Sequence, residues 1–104
     1  MKFLMWVCVD TELIGTVPDE PGDWVEFAGA RRLEGSQLQP VSDATTVRPK
    51  DGGTFVSDGP FAETKEQIAG YDLLECADLA EAIEVAAAHP VAKFGAIELR
   101  PVWE

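Results

Sequence analysis

The run Ser57-Asp58-Gly59-Pro60-Phe61-Ala62-Glu63-Thr64-Lys65-Glu66 gathers two hydroxyls, one cation and three carboxylates within ten residues. Asp58 can hydrogen-bond its own backbone, Gly59 admits left-handed φ, and Pro60 fixes φ, so the chain turns sharply and presents residues 61–66 in a defined direction. Two readings are open. As plain structure, the turn ends a hairpin and Phe61 anchors it in the core or in a subunit interface. As a site, Asp58 and Phe61 frame the mouth of a cleft into which Thr64, Lys65 and Glu66 bring a hydroxyl, a cation and a carboxylate for a small polar or anionic ligand.

Three residues elsewhere could share that chemistry. Asp10 closes an apolar run and is, with Glu66, a candidate base, although a carboxylate leaving a strand also caps the next turn. Arg100 stands with Glu98 on the face of the segment Ile97-Glu98-Leu99-Arg100 opposite Ile97 and Leu99. It either pairs with an acid such as Asp72 or offers its planar fork to a ligand carboxylate, and it is expected to border one pocket with the Asp58 turn. His89 is the sole histidine. Placed where a helix ends, it reads as a cap or a surface imidazolium favoured by the helix dipole, not as an acid–base catalyst. The sequence has no Gly-rich phosphate loop, no nucleophile elbow and no metal-ligand spacing, so neither metal nor cofactor is implied.

These residues must be carried by one small domain spanning residues 1–104. A chain of this length buries on the order of 60–65% of its unfolded surface, and a second domain does not fit. Nineteen acids against eight bases give a net charge of −11, which repels nucleic acid and anionic membrane surfaces alike. With 46% hydrophobic residues and no apolar run of about 18, the chain reads as a globular protein without a membrane span. Met1-Lys2 precedes an apolar stretch that ends at Asp10 with no small-residue cleavage site, so the expected compartment is the cytoplasm. Cys8 and Cys76 both lie in apolar segments and read as buried free thiols.

Phe3–Val9, uninterruptedly apolar, reads as a central strand buried on both faces. Residues 10–23 read as a loop, and a short helix is predicted from Asp23 or Trp24 to Ala28, stopped by Gly29. Arg31–Leu38 is a second strand with a bend at Gly35. Ala44–Arg48 and Thr54–Ser57 flank an Asp51-Gly52 turn and predict a hairpin projecting from the main sheet. Ile68–Cys76 is the next strand, with Tyr71 and Leu73 on one face and Asp72 and Leu74 on the other. Asp78 and Glu81 then form a capping box ahead of a helix whose stripe is Leu79, Ala82, Ile83 and Ala86, ending at His89-Pro90, and Ala96–Arg100 is the last strand. This order is that of a ferredoxin-like α+β fold, β-α-β-β-α-β with an inserted hairpin, both helices covering one face of an antiparallel sheet. The other face, carrying large apolar side chains, predicts a homodimer.

The Asp58–Glu66 run followed by Ile68-Ala69-Gly70-Tyr71 resembles the signature of DGPF-domain proteins, a branch of the YCII-related family. The likeness extends to the apolar first strand, Leu38-Gln39-Pro40, Thr45-Thr46-Val47-Arg48, the second helix and the closing strand. Residues 10–30 differ, since Pro18, Pro21 and Gly22 interrupt the family's first helix. The resemblance implies a dimeric α/β barrel and an accessory role linked to sigma-factor-associated regulation. The residues themselves leave an alternative, a minor lyase- or isomerase-type enzyme using cleft carboxylates, with Asp10 or Glu66 as base and Arg100 or Lys65 holding an anionic substrate. The His–Asp pair proposed for catalysis in parts of the family has its histidine early in the chain; here none precedes His89, so the pair is not carried over.

Overall fold

Strand β1 is Lys2–Asp10, and its side chains alternate between two environments. Phe3, Met5, Val7 and Val9 are buried, while Leu4, Trp6 and Cys8 on the opposite face are only half-buried. The apolar run therefore serves one internal face and one face that none of the described elements covers, instead of two internal faces. In this computed structural model residues 1–13 and 22–104 are described; most of the expected loop over residues 10–23 lies outside them.

The remaining elements are α1 (Gly22–Ala28), β2 (Arg32–Gln37), β3 (Thr45–Lys50), β4 (Gly53–Asp58), β5 (Glu66–Glu75), α2 (Leu79–Ala87) and β6 (Ala96–Pro101). Four strands form an antiparallel sheet in the order β2-β5-β1-β6, compatible with a ferredoxin-like α+β fold. β3 and β4 form a separate two-stranded ribbon. Its turn uses Asp51 at φ 49° and Gly52 at φ 79°, the two left-handed positions that a tight hairpin demands. Among the described residues no helix is long and apolar enough to cross a membrane.

Both helices pack on the face of β1 that carries Phe3, Met5, Val7 and Val9. α1 contributes Trp24 and Ala28, α2 contributes Ala82, Val85 and Ala86, and Leu74 and Cys76 come from β5 and its end. Trp24 donates its indole N–H to the Val85 carbonyl at 2.7 Å, tying α1 to α2 through a buried bond. Gly29, at φ 55°, ends α1 as expected. Asp78 caps α2 by accepting from the Glu81 N–H at 2.9 Å, and the Glu81 carboxylate accepts in turn from Ala77 N–H, one residue further out than a capping box requires. The buried stripe of α2 differs from the expected one: Val85 is fully buried, whereas Leu79 and Ile83 are half-exposed. The helix is rotated toward Val85, and small Ala82 and Ala86 let it approach the sheet closely.

His89 departs further from expectation. It is buried at 6% exposure, edge-on to Trp24 with ring centroids 4.8 Å apart. Its Nδ1 accepts from the Val91 N–H at 3.1 Å, capping the short 3-10 helix Pro90–Lys93 and not the end of α2. Accepting through Nδ1 suits the neutral ring, and burial pushes the His89 pKa below its ordinary value.

A second polar group lies on the core face. Asp72, at 6% exposure, accepts from Arg32 Nε at 2.7 Å. Burial raises the Asp72 pKa, and the hydrogen bond and charge of Arg32 oppose that rise. The Arg32 guanidinium thus takes the acid that alternation along the strands offered to Arg100. The irregularity of β2 falls between Arg32 and Glu34 and not at Gly35.

Candidate functional site

Four devices fix the Asp58–Glu66 segment at one end of the sheet. Gly59 adopts φ 95°, and its N–H donates to the Ala44 carbonyl at 2.7 Å. Its own carbonyl accepts from the Thr46 hydroxyl at 2.8 Å. The Gln67 carboxamide donates to the Ala62 carbonyl at 2.9 Å and to the Thr64 hydroxyl at 3.1 Å, while that hydroxyl donates to the Glu66 carbonyl. Finally, Thr11 N–H donates to the Lys65 carbonyl at 3.1 Å, joining the segment to the end of β1. Besides Gly59, the ties that hold the turn come from Thr46 and Gln67, two residues that carry no turn signal in the sequence.

Beneath the turn lies an open cleft of about 350 Å³. Gly59, Pro60, Glu63 and Thr64 form one wall; Thr11, Val41, Ser42 and Gln67 form the rest. The lining offers hydroxyls from Thr11, Ser42 and Thr64 and a carboxylate from Glu63, groups that donate and accept hydrogen bonds without strong positive charge. Ser42 is delivered by a 3-10 turn, Val41–Asp43, held by Asp43 and Ala44 N–H donating to the Pro40 and Val41 carbonyls. No periodicity betrays a residue that a single turn swings into a cleft, so Ser42 had no sequence signal. Gln67 had none either: it stands one residue before the predicted strand, and its amide reaches the turn only through the fold.

The other predicted site residues are distributed around and beyond this cleft. Thr64 lines it; Lys65 stands beside it with its side chain 85% exposed and Nζ 3.8 Å from Asp10 Oδ2. Asp10 Oδ1 accepts from Glu12 N–H at 3.0 Å, so it does cap the adjoining 3-10 turn, Thr11–Leu13. Asp10 and Glu66 are direct cross-strand partners and share a sheet face. Asp58 ends β4 opposite Thr45 and is exposed. Phe61 is 80% exposed, so within one chain it is no core anchor.

Arg100 lies elsewhere. It faces Leu4 across β1–β6, whereas Glu66 faces Asp10, six residues further along β1. At about 3.3 Å per residue that is roughly 20 Å, so within one chain Arg100 does not share a pocket with the Asp58 turn. Its face assignment holds, since Ile97 and Leu99 pack against the core and Arg100 pairs with Glu98 at 2.8 Å on the other side. Register, which periodicity alone does not give, separates the two.

On that open face Cys8 lies near Glu66 and Glu98; burial first, then these two carboxylates, push its thiol pKa up. Both cysteines are free. Among the described residues no three His, Cys, Asp or Glu side chains are gathered as a metal site would need.

An uncharacterised protein of Rhizobium meliloti (strain 1021) is 45% identical over 71 residues, covering 64% of this chain. The match spans 56% of that relative's length. The sequence model of the YCII-related domain matches residues 9–104, which include β1's end, the turn, the cleft and every later element. The chain belongs to the YCII-related family.

Proposed function

We propose that this protein is a homodimeric binding module for a small polar molecule held in the cleft beneath Gly59–Pro60. The observation that carries the reading is the cleft itself: about 350 Å³, the size of a small-ligand site, with Thr11, Ser42, Glu63 and Thr64 among its lining residues. Lys65 at the rim supplies a cation for an anionic substituent, while Asp58 and Phe61 frame the opening. The Thr64 hydroxyl gives its proton to the Glu66 carbonyl and accepts from Gln67, which leaves it one acceptor position for a ligand donor. An accessory role in sigma-factor-associated regulation is compatible with such a module.

The dimer is supported by the uncovered sheet face. Leu4, Trp6, Ile68, Tyr71 and Leu73 stand there in register, an apolar centre that none of the described elements covers and that a second copy would bury. A second sheet packed on it closes the dimeric barrel that the family resemblance implies.

One observation favours a second reading, a lyase- or isomerase-type enzyme. Asp10 and Glu66 stand on directly paired strand positions, the pair of carboxylates that acid–base chemistry calls for. Against it, both Asp10 oxygens are engaged, by Glu12 N–H and by Lys65.

Thermal shift with glycine, serine, lactate and glycerol at millimolar concentration tests the binding reading. At least one should stabilise the protein, and Ser42→Ala should weaken that probe by roughly 1 kcal/mol, about fivefold, without lowering the unliganded midpoint. Stabilisation unaffected by Ser42→Ala and by Glu63→Gln would rule the cleft out as the binding site.

A further inference from the structure

The hydrogen bonds that hold the Asp58 turn use up donors and leave acceptors beside the cleft. The Gly59 N–H is spent on the Ala44 carbonyl at 2.7 Å, and Pro60 has no N–H to offer. The Thr64 hydroxyl gives its proton to the Glu66 carbonyl, so toward a ligand it too can only accept. The Gln67 carboxamide is fixed in orientation, because the Ala62 and Thr64 carbonyls, 2.9 and 3.4 Å from its nitrogen, are acceptors only. With its N–H groups turned to them, what remains of that side chain is its carbonyl oxygen.

Charge points the same way. Glu63 lies in the cleft wall, exposed, and its carboxylate enters no hydrogen bond or ion pair among the described residues. The described lining holds no Lys, Arg or His to neutralise it. Lys65 stands outside that lining, with Nζ 3.8 Å from Asp10 Oδ2. The net charge of −11 acts in the same sense over a longer range, drawing cations toward the surface and repelling anions. Only the hydroxyls of Thr11 and Ser42 can turn to donate or to accept, which suits them to hydroxyl groups of a ligand.

We infer that the cleft selects a small hydroxylated amine, whose ammonium group donates to the Glu63 carboxylate, the Thr64 hydroxyl and the Gln67 carbonyl oxygen. This rests on the binding reading above and deepens it by naming the group that is recognised. An ammonium carries three donors and no acceptor, the complement of what the turn leaves open. A ligand that also bears a carboxylate, as serine does, places its ammonium inward and its carboxylate at the rim beside Lys65, whereas a ligand whose only charge is negative meets acceptors and Glu63.

Serinol, glycerol and glycerate share a skeleton and at about pH 7 carry an ammonium, no charge and a carboxylate respectively. Each is titrated into the isotope-labelled protein at equal ionic strength, with backbone amide shifts as the readout. Serinol should bind at least about tenfold tighter than glycerate and at least about threefold tighter than glycerol. Glu63→Gln should shrink the serinol-to-glycerate ratio at least about threefold. Glu84→Gln removes the same charge from α2, outside the lining, and should leave that ratio within about twofold of the wild type, since distant exposed charges are screened. If glycerol or glycerate binds as tightly as serinol with shifts centred on Ser42, Glu63 and Thr64, or if Glu84→Gln shrinks the ratio as much as Glu63→Gln, the amine preference is overturned while the cleft stands as a binding site. If no probe shifts those residues, the site and the preference fall together.

Discussion

Gly35 and Asp72 occupy one space: a Cβ built on Gly35 would lie 2.0 Å from Asp72 Oδ1 and 2.7 Å from Arg32 Nη2. The two residues are cross-strand partners on the core face, and the missing side chain is what lets the carboxylate lie across β2 to reach Arg32. Gly35→Ala should therefore cost roughly 1–3 kcal/mol, as an overpacked interior does. Urea denaturation checks this; a midpoint unchanged from the wild type would mean that the ion pair relocates freely.

His89 gives the protein a pH dependence whose sign is fixed by its burial. The folded pKa is lowered, so the unfolded chain takes up a proton first, and the stability that neutral His89 contributes is complete above about 6.5 and lost as pH falls below it. Asp72 acts oppositely: its folded pKa is raised, so its stabilising share is present at low pH and lost as pH rises through the folded pKa. His89→Asn, which keeps a capping acceptor and removes the titration, should flatten the fall in melting temperature between about pH 6.5 and 5. An unchanged profile would show that His89 titrates as an exposed imidazole.

Trp24→Phe isolates the tie between the helices. It keeps most of the apolar contact but leaves the Val85 carbonyl without its donor at 2.7 Å, a loss of about 1–3 kcal/mol for a buried acceptor. Equal stability of variant and wild type in urea would show that water replaces the indole.

Gln67→Ala should loosen the turn without unfolding the domain. The carboxamide holds the Ala62 carbonyl and the Thr64 hydroxyl, both outside the sheet. Global stability should change by no more than about 1 kcal/mol, while amide exchange of residues 62–64 quickens and probe binding weakens. Unaltered exchange would mean that Thr46 and Gly59 hold the turn unaided.

The elements that were legible are those with a local cause. Asp51-Gly52 specified the hairpin, Asp78 the start of α2, and Gly29 the end of α1, because each acts through its own backbone geometry. Strand alternation likewise placed Asp72 with Leu74, and Arg100 opposite Ile97 and Leu99. What escaped depends on contacts across the sheet. An acid at a core-face position gives no hint that its partner is Arg32, forty residues away. His89-Pro90 reads as the end of one helix, whereas Pro90 is also the first residue of the 3-10 helix that His89 caps, and the two roles share one sequence sign. For the site, the turn and Thr64 were readable, whereas Thr11, Ser42 and Gln67 meet it only through the fold.

Binding in the cleft is best put to the test by following the backbone amides of the isotope-labelled protein by NMR while titrating whichever of glycine, serine, lactate or glycerol stabilises it. A ligand seated beneath Gly59–Pro60 predicts saturable shifts concentrated at Thr11, Ser42, Gly59, Glu63 and Thr64, with Leu33 and Phe94 unmoved. Shifts that do not saturate, or that gather instead on Trp6, Tyr71 and Leu73 of the open sheet face, would contradict it.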